Sequence, residues 1–149
     1  MDVFVRGERP NTQDWIRARQ APLTALPLLD EEQKAEAQLM RRSEEDYARG
    51  AYAGQLSQQR LLQRTLRFGR WLNKKAGERD PCAGIESVTL DTLLGKFEIC
   101  AQTGSEGFEF EMDEDLVNRF LAEGSADAEK SINRILDVFL PEERMARAS

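Results

Sequence analysis

The chain has 149 residues, of which 40% are hydrophobic and 32% charged, with a formal net charge of −6. This length supports one hydrophobic core of ordinary size, and this composition differs clearly from that of disordered chains. No apolar run approaches the roughly 18 residues of a membrane helix, and the first residues do not resemble a secretory signal. We therefore expect a cytoplasmic protein without a membrane partner.

The residue types that most enzymes use for catalysis are scarce. Histidine is absent, which removes the usual general base at neutral pH and the commonest transition-metal ligand. Cys82 and Cys100 are widely separated and predict two reduced thiols rather than a disulfide or a metal cage. No glycine-rich phosphate loop occurs. We expect a protein that is not an enzyme, has no catalytic residue, no metal site and no cofactor, and shows no evident small-molecule ligand.

Residues 1–29 predict an irregular N-terminal arm, because Pro10, Pro22 and Pro27 prevent any long regular element. Within this arm, residues 3–5 are compatible with a short strand. A brief helix carrying Trp15 and Ile16 is capped by Asn11 or Thr12. The arm wraps its own domain in the first interpretation and docks on a neighbouring molecule in the second.

A long helical region is predicted from Asp30, which caps it with Gln33 at the third helical position, to about Lys75. The weak stretch at residues 50–54 favours two helices with a bend there, and one kinked helix is the alternative. Residues 76–84 collect glycine, proline and polar residues and predict a loop.

The C-terminal half predicts strands and then helices. Residues 86–90 are compatible with a strand, while residues 96–102 and 108–112 alternate apolar and polar side chains and predict a hairpin. Residues 113–122 predict a helix. A last helix, capped by Ser125 or Asp127, turns four apolar side chains inward, ends at Pro141 and leaves the residues after Glu142 to fray: Ile132, Ile135, Leu136 and Phe139.

These elements predict an α+β fold. The helical N-terminal half, bent or paired, packs with a C-terminal antiparallel β-hairpin or three-stranded meander followed by two helices. Residues 30–149 form a single compact domain in this prediction, and the loop near 76–84 joins its two layers.

Carboxylates are abundant near the second hairpin strand. Glu109, Glu111 and Asp113 alternate with apolar positions, which is typical of the solvent face of a half-buried sheet, and Asp113 to Asp115 fit the acidic first turn of a helix. Paired acids also serve glycosidases and magnesium sites, but this pattern favours a structural role.

Charge is distributed unevenly along the chain. Residues 50–84 carry seven Lys or Arg against two acids, whereas residues 106–149 carry twelve acids against five bases. On a helical wheel for residues 56–75, the bases and one tryptophan share a sector opposite the apolar arc. The predicted partner-binding residues are Arg60, Arg64, Arg67, Arg70, Trp71 and Lys74.

Three uses of this basic face remain open: pairing within the molecule, contact with a protein partner or a second copy of the chain, and contact with nucleic acid through Arg64, Arg67 and Trp71. The acidic net charge counts against unspecific coating of DNA. The sequence therefore predicts a non-catalytic binding or regulatory protein that acts through protein–protein contacts, as a dimer or as a subunit of an assembly. The alternative is a nucleic-acid-associated accessory factor.

Overall fold

The computed structural model describes residues 1–141 and confirms the α+β class. A single 3₁₀ turn, Leu23–Ala25, lies between the first two helices. The prediction that residues after Glu142 fray lies outside the described residues. The strands and α-helices follow one another in this order: β1 Asp2–Arg6, α1 Thr12–Gln20, α2 Glu31–Leu39, α3 Glu44–Arg79, β2 Ala83–Asp91, β3 Lys96–Thr103, β4 Glu106–Asp113, α4 Glu114–Glu123 and α5 Ala126–Phe139.

The four strands form one sheet in the order β1-β2-β3-β4. β2, β3 and β4 are the predicted antiparallel meander. β1 adds to it in parallel, with Val3 opposite Val88 and Val5 opposite Leu90. The alternation in residues 3–5 indicated a strand but contained nothing about its neighbour in the sheet.

Contacts divide the chain into two units, and the division lies inside α3. One unit, here called the helical unit, is Glu8–Arg60. The other, here called the sheet unit, combines Met1–Gly7 with the chain from Leu61 onward. The prediction of one compact domain over residues 30–149 stays a prediction.

The large apolar core belongs to the sheet unit. It is built from the C-terminal part of α3, the inner face of the sheet and both C-terminal helices, with Phe68, Leu72, Phe97 and Ile132 fully buried. Phe139, predicted to point inward, is 42% exposed instead. Its ring stacks on Phe110 at 4.9 Å between centroids.

The predicted bend at residues 50–54 is wrong, although two helices are present. α2 ends at Leu39, Arg41 adopts a positive φ of 54°, and α3 begins at Glu44 and continues through both glycines. Ser43 Oγ accepts the backbone N–H of Asp46 and so supplies a start signal for α3. A cap at Ser43 therefore sets the boundary, and helical glycines cost too little to move it.

The predicted loop at 76–84 is also shorter than expected, because α3 extends to Arg79. Ala76 is fully buried in the core. The Arg79 guanidinium lies 2.8 Å from the Asp137 carboxylate on α5, an ion pair that the local composition could not indicate. Only residues 80–82 separate α3 from β2.

Replacement of Gly50 tests the continuity of α3. A methyl group at Gly50 would lie 3.8 Å from the Trp15 ring, an ordinary contact distance. We expect Gly50→Ala to raise the free energy of unfolding in urea by about 0.5–1 kcal/mol, because alanine favours helix. At Gly54 the methyl would meet the Glu8 carboxylate, so Gly54→Ala should gain less. A bend at residue 50 would instead make Gly50→Ala destabilising.

Candidate functional site

The first base of the predicted face is bound within the helical unit. Arg60 Nη2 lies 3.2 Å from the Asp14 carboxylate and donates to the Arg9 carbonyl at 3.0 Å. Asp14 is buried and also accepts the backbone N–H of Asn11, as part of the capping box at the start of α1. Arg60 therefore has a structural role, because it neutralises the buried carboxylate of Asp14.

The next two bases are bound by α4, within the sheet unit. Arg64 lies 3.6 Å from Glu114, whose side chain is only 5% exposed. Arg67 donates to the carbonyl of Leu121 at 2.8 Å, near the end of α4. The acidic C-terminal part of the chain thus neutralises Arg64, which is the internal pairing that the sequence left open.

Trp71 packs inward. Its ring lies 4.6 Å from Phe120 and 6.2 Å from Phe68, and the Lys75 ammonium lies 5.7 Å from its centroid. The wheel placed Trp71 among the bases because the core covers a wider arc of α3 than the helix alone indicated. α4 supplies that additional cover.

Arg70 and Lys74 are the exposed remainder of the predicted set. Neither forms a hydrogen bond or an ion pair with any residue between 1 and 141. The predicted nucleic-acid contacts Arg64, Arg67 and Trp71, in contrast, all have partners in the sheet unit.

Two matched substitutions separate the structural bases from the exposed ones. Arg64→Met removes the cation that lies 3.6 Å from the buried Glu114 carboxylate, and we expect a loss of about 2 kcal/mol in unfolding free energy. Arg70→Met removes the same charge further along the same helix. We expect it to change the unfolding free energy by less than about 0.5 kcal/mol. Urea denaturation measures both, and equal losses would contradict this assignment.

Polar contacts hold the helical unit together. The Arg49 guanidinium donates to the carbonyls of Ala18, Arg19 and Ala21 and also binds the Glu45 carboxylate. It thereby satisfies the unpaired carbonyls at the C-terminal end of α1, where positive charge is favourable. With Arg60 at the other end, two guanidinium groups attach α1 to α3.

The buried apolar residues of this unit are small. They are Ala18, Ala37, Ala48, Ala53 and Leu56, so only one large aliphatic side chain is buried. Six large apolar side chains are exposed instead, with their exposed fractions: Trp15 41%, Ile16 38%, Leu23 67%, Leu28 97%, Leu39 86% and Met40 48%. A unit of this kind gains little from its own hydrophobic core.

Two of these leucines line a hollow of about 330 Å³. Its lining comes from the segment 23–29, from Lys34 on α2 and from Glu44, Glu45 and Ala48 on α3. The sequence predicts only an irregular arm for this segment and does not predict the hollow. Four leucines within residues 23–29 of a segment without regular periodicity were the available signal.

Tyr47 joins α3 to α2 in the same unit. Its hydroxyl donates to the Glu36 carboxylate at 2.7 Å. The pKa of Tyr47 is raised above its usual value of 10.0, and this hydrogen bond is the largest cause. Smaller contributions come from desolvation and then from the negative charges of Glu36, Asp30 and Glu32. The contact stabilises the fold below pH 10 and is lost as pH rises through the raised pKa.

An ultraviolet titration of the phenolate checks this contact. In Tyr52→Phe, which leaves Tyr47 as the one tyrosine, we expect a midpoint above 10. Adding Glu36→Ala should lower the midpoint toward the usual value, because both the acceptor and the nearest charge are removed. An unchanged midpoint would show that α2 does not lie against Tyr47 in solution.

The outer face of the sheet carries a second concavity, entirely within the sheet unit. Its volume is about 950 Å³, and residues of all four strands line it, from Phe4 and Arg6 on β1 to Glu109 and Glu111 on β4. The expected solvent face at Glu109, Glu111 and Asp113 is therefore confirmed. Residues 1–141 contain no cluster of three side chains suited to a metal ion.

Comparisons with known proteins bring no relative. No protein-family model, no curated protein and no solved structure matches the chain. Among the helices of residues 1–141, none combines the length and apolar character that crossing a membrane requires.

Proposed function

We propose that this is a non-catalytic binding protein that acts through protein–protein contacts, with the exposed apolar surface of the helical unit as its contact site. The observation that carries the proposal is that this unit buries small apolar side chains and exposes large ones. Alanines are buried there, whereas Leu23, Leu28 and Leu39 are more than half exposed.

Exposed leucines are common one at a time, and a single one needs no explanation. Here they occur in a unit that buries one large aliphatic side chain and holds α1 by guanidinium contacts. Each leucine that becomes fully covered gains about 1.5–3 kcal/mol. A partner that covers several of them would therefore supply the apolar burial that the unit lacks.

The occupant proposed for the hollow is an apolar segment of a different protein with Lys or Arg at its flanks. Of the charged residues that line the hollow, Lys34 pairs with Glu31 and Glu45 pairs with Arg49, so a partner cation next to the apolar side chains complements Glu44. A second copy of this chain is less suitable, because a two-fold axis at the hollow would bring Glu44 close to its symmetry mate.

Photo-crosslinking in the native host tests the proposal. With p-benzoylphenylalanine at position 28, we expect a crosslinked partner whose attached peptide, identified by mass spectrometry, is apolar with flanking Lys or Arg. The same probe at the exposed position Glu123 on α4, which lies outside the helical unit and off the outer face of the sheet, is the control. Leu23→Glu should abolish the product at position 28.

The variants must retain their fold for this test to be decisive. Leu23 is 67% exposed, so Leu23→Glu should change the unfolding free energy by less than about 0.5 kcal/mol. Crosslinks of the chain to itself would contradict the choice of a different protein. Equal products from positions 28 and 123, or attached peptides without apolar residues, would overturn the contact site.

A further inference from the structure

The outer face of the sheet has a regular arrangement of side chains that the contact site in the helical unit does not explain. One row across the strands is Phe4, Thr89, Glu98 and Glu111, and the next is Asp2, Ser87, Cys100 and Glu109. Small polar residues thus form the floor. An aromatic ring and an arginine stand at β1, and carboxylates stand at β3 and β4.

Thr89 is the unusual residue of this floor. It is 8% exposed although it lies on the outer face, between Val88 and Leu90, which point into the core. Its hydroxyl has no hydrogen-bond partner among residues 1–141. Thr89 lines the concavity, and its hydroxyl is not among the fully buried polar atoms that lack a partner, so an incoming acceptor or donor would reach it there.

The charge of the face is negative. Six carboxylates lie on it against two bases, Arg6 and Lys96: Asp2, Asp91, Glu98, Glu109, Glu111 and Asp113. The two bases pair with Glu98 and Glu111, each at 3.3 Å. Asp2, Glu109 and Asp113 form no ion pair within the part of the chain that the structure describes.

We propose that this face binds an extended Lys- or Arg-containing segment of a partner protein. The carboxylates of β3 and β4 would hold its cationic side chains, as they already hold Arg6 and Lys96. The Phe4 ring, 52% exposed at the sheet edge, offers a surface on which a cation or an aliphatic stem packs. Thr89 supplies a fixed hydrogen-bonding group beneath it.

The dimensions favour an extended chain. The concavity reaches from β1 to β4, which is three strand spacings or about 14 Å. A segment of four to five extended residues covers about that distance. A single amine would occupy only one end of it.

Fluorescence anisotropy with labelled hexalysine tests the site on the full chain. We expect a dissociation constant on the order of 10 μM at low salt, no binding of labelled hexaglutamate, and weaker binding as salt rises. Glu109→Gln combined with Glu111→Gln should weaken hexalysine binding about tenfold or more. Glu106→Gln removes the same charge type from β4 at a position outside the outer face and should change it by less than about twofold.

Thr89→Val distinguishes a specific binding site from unspecific electrostatic attraction, because the substitution changes no charge. We expect it to weaken hexalysine binding about three- to tenfold through the lost hydrogen bond. We also expect its melting temperature to stay equal or rise, since valine favours a β-strand at least as well as threonine and the Thr89 hydroxyl makes no hydrogen bond within residues 1–141. This second measurement shows that the weaker binding does not come from unfolding.

Three outcomes would overturn the proposal. The first is unchanged binding in Thr89→Val, and the second is an equal loss in Glu106→Gln and in the variant that combines Glu109→Gln with Glu111→Gln. The third is spermine that displaces hexalysine and binds more tightly than the peptide, which would make a small polyamine the ligand in place of a protein segment.

Discussion

Two guanidinium groups determine how the helical unit is built. Arg60 binds the start of α1 and Arg49 binds its end. These residues are eleven positions apart on α3, about 16 Å, which matches a helix of nine residues lying antiparallel between them. Because charge-assisted hydrogen bonds fix both ends, α1 does not need to bury Trp15 or Ile16 to stay in place. Its apolar side chains are therefore exposed.

The size of the buried residues also changes along α3, because polar contacts hold the helical unit whereas apolar burial holds the sheet unit. Before residue 60 the buried positions of α3 are mainly alanine, glycine and serine, whereas after it they include Leu61, Phe68 and Leu72. Large side chains give the sheet unit a dense core whose stability depends on apolar burial. The small side chains of the helical unit bury less apolar surface and so stabilise it less, and contacts with a partner can supply the missing apolar burial.

Patterns with a fixed period gave the reliable part of the sequence prediction. Alternation at residues 96–102 and 108–112, and the cap at Asp30, led to elements that the structure contains. The break between α2 and α3 lies at the Ser43 cap and not at Gly50 and Gly54, because the cap satisfies a backbone N–H at the start of α3 whereas a helical glycine costs only about 1 kcal/mol. The basic face was only half predictable: a wheel gives the direction of Arg64, but Glu114 lies 50 positions further along the chain.

The internal use of bases changes the meaning of the net charge. The chain has 21 Lys and Arg against 27 Asp and Glu, and the bases at positions 49, 60, 64 and 79 are held by carboxylates or carbonyls of their own unit. Each concavity presents a carboxylate that has no ion pair among residues 1–141, Glu44 in one unit and Glu109 in the other. An acidic surface steers cationic partners toward it and repels polyanions. This charge distribution favours basic protein segments over nucleic acid as partners, since the guanidinium groups that would hold phosphates already support the fold.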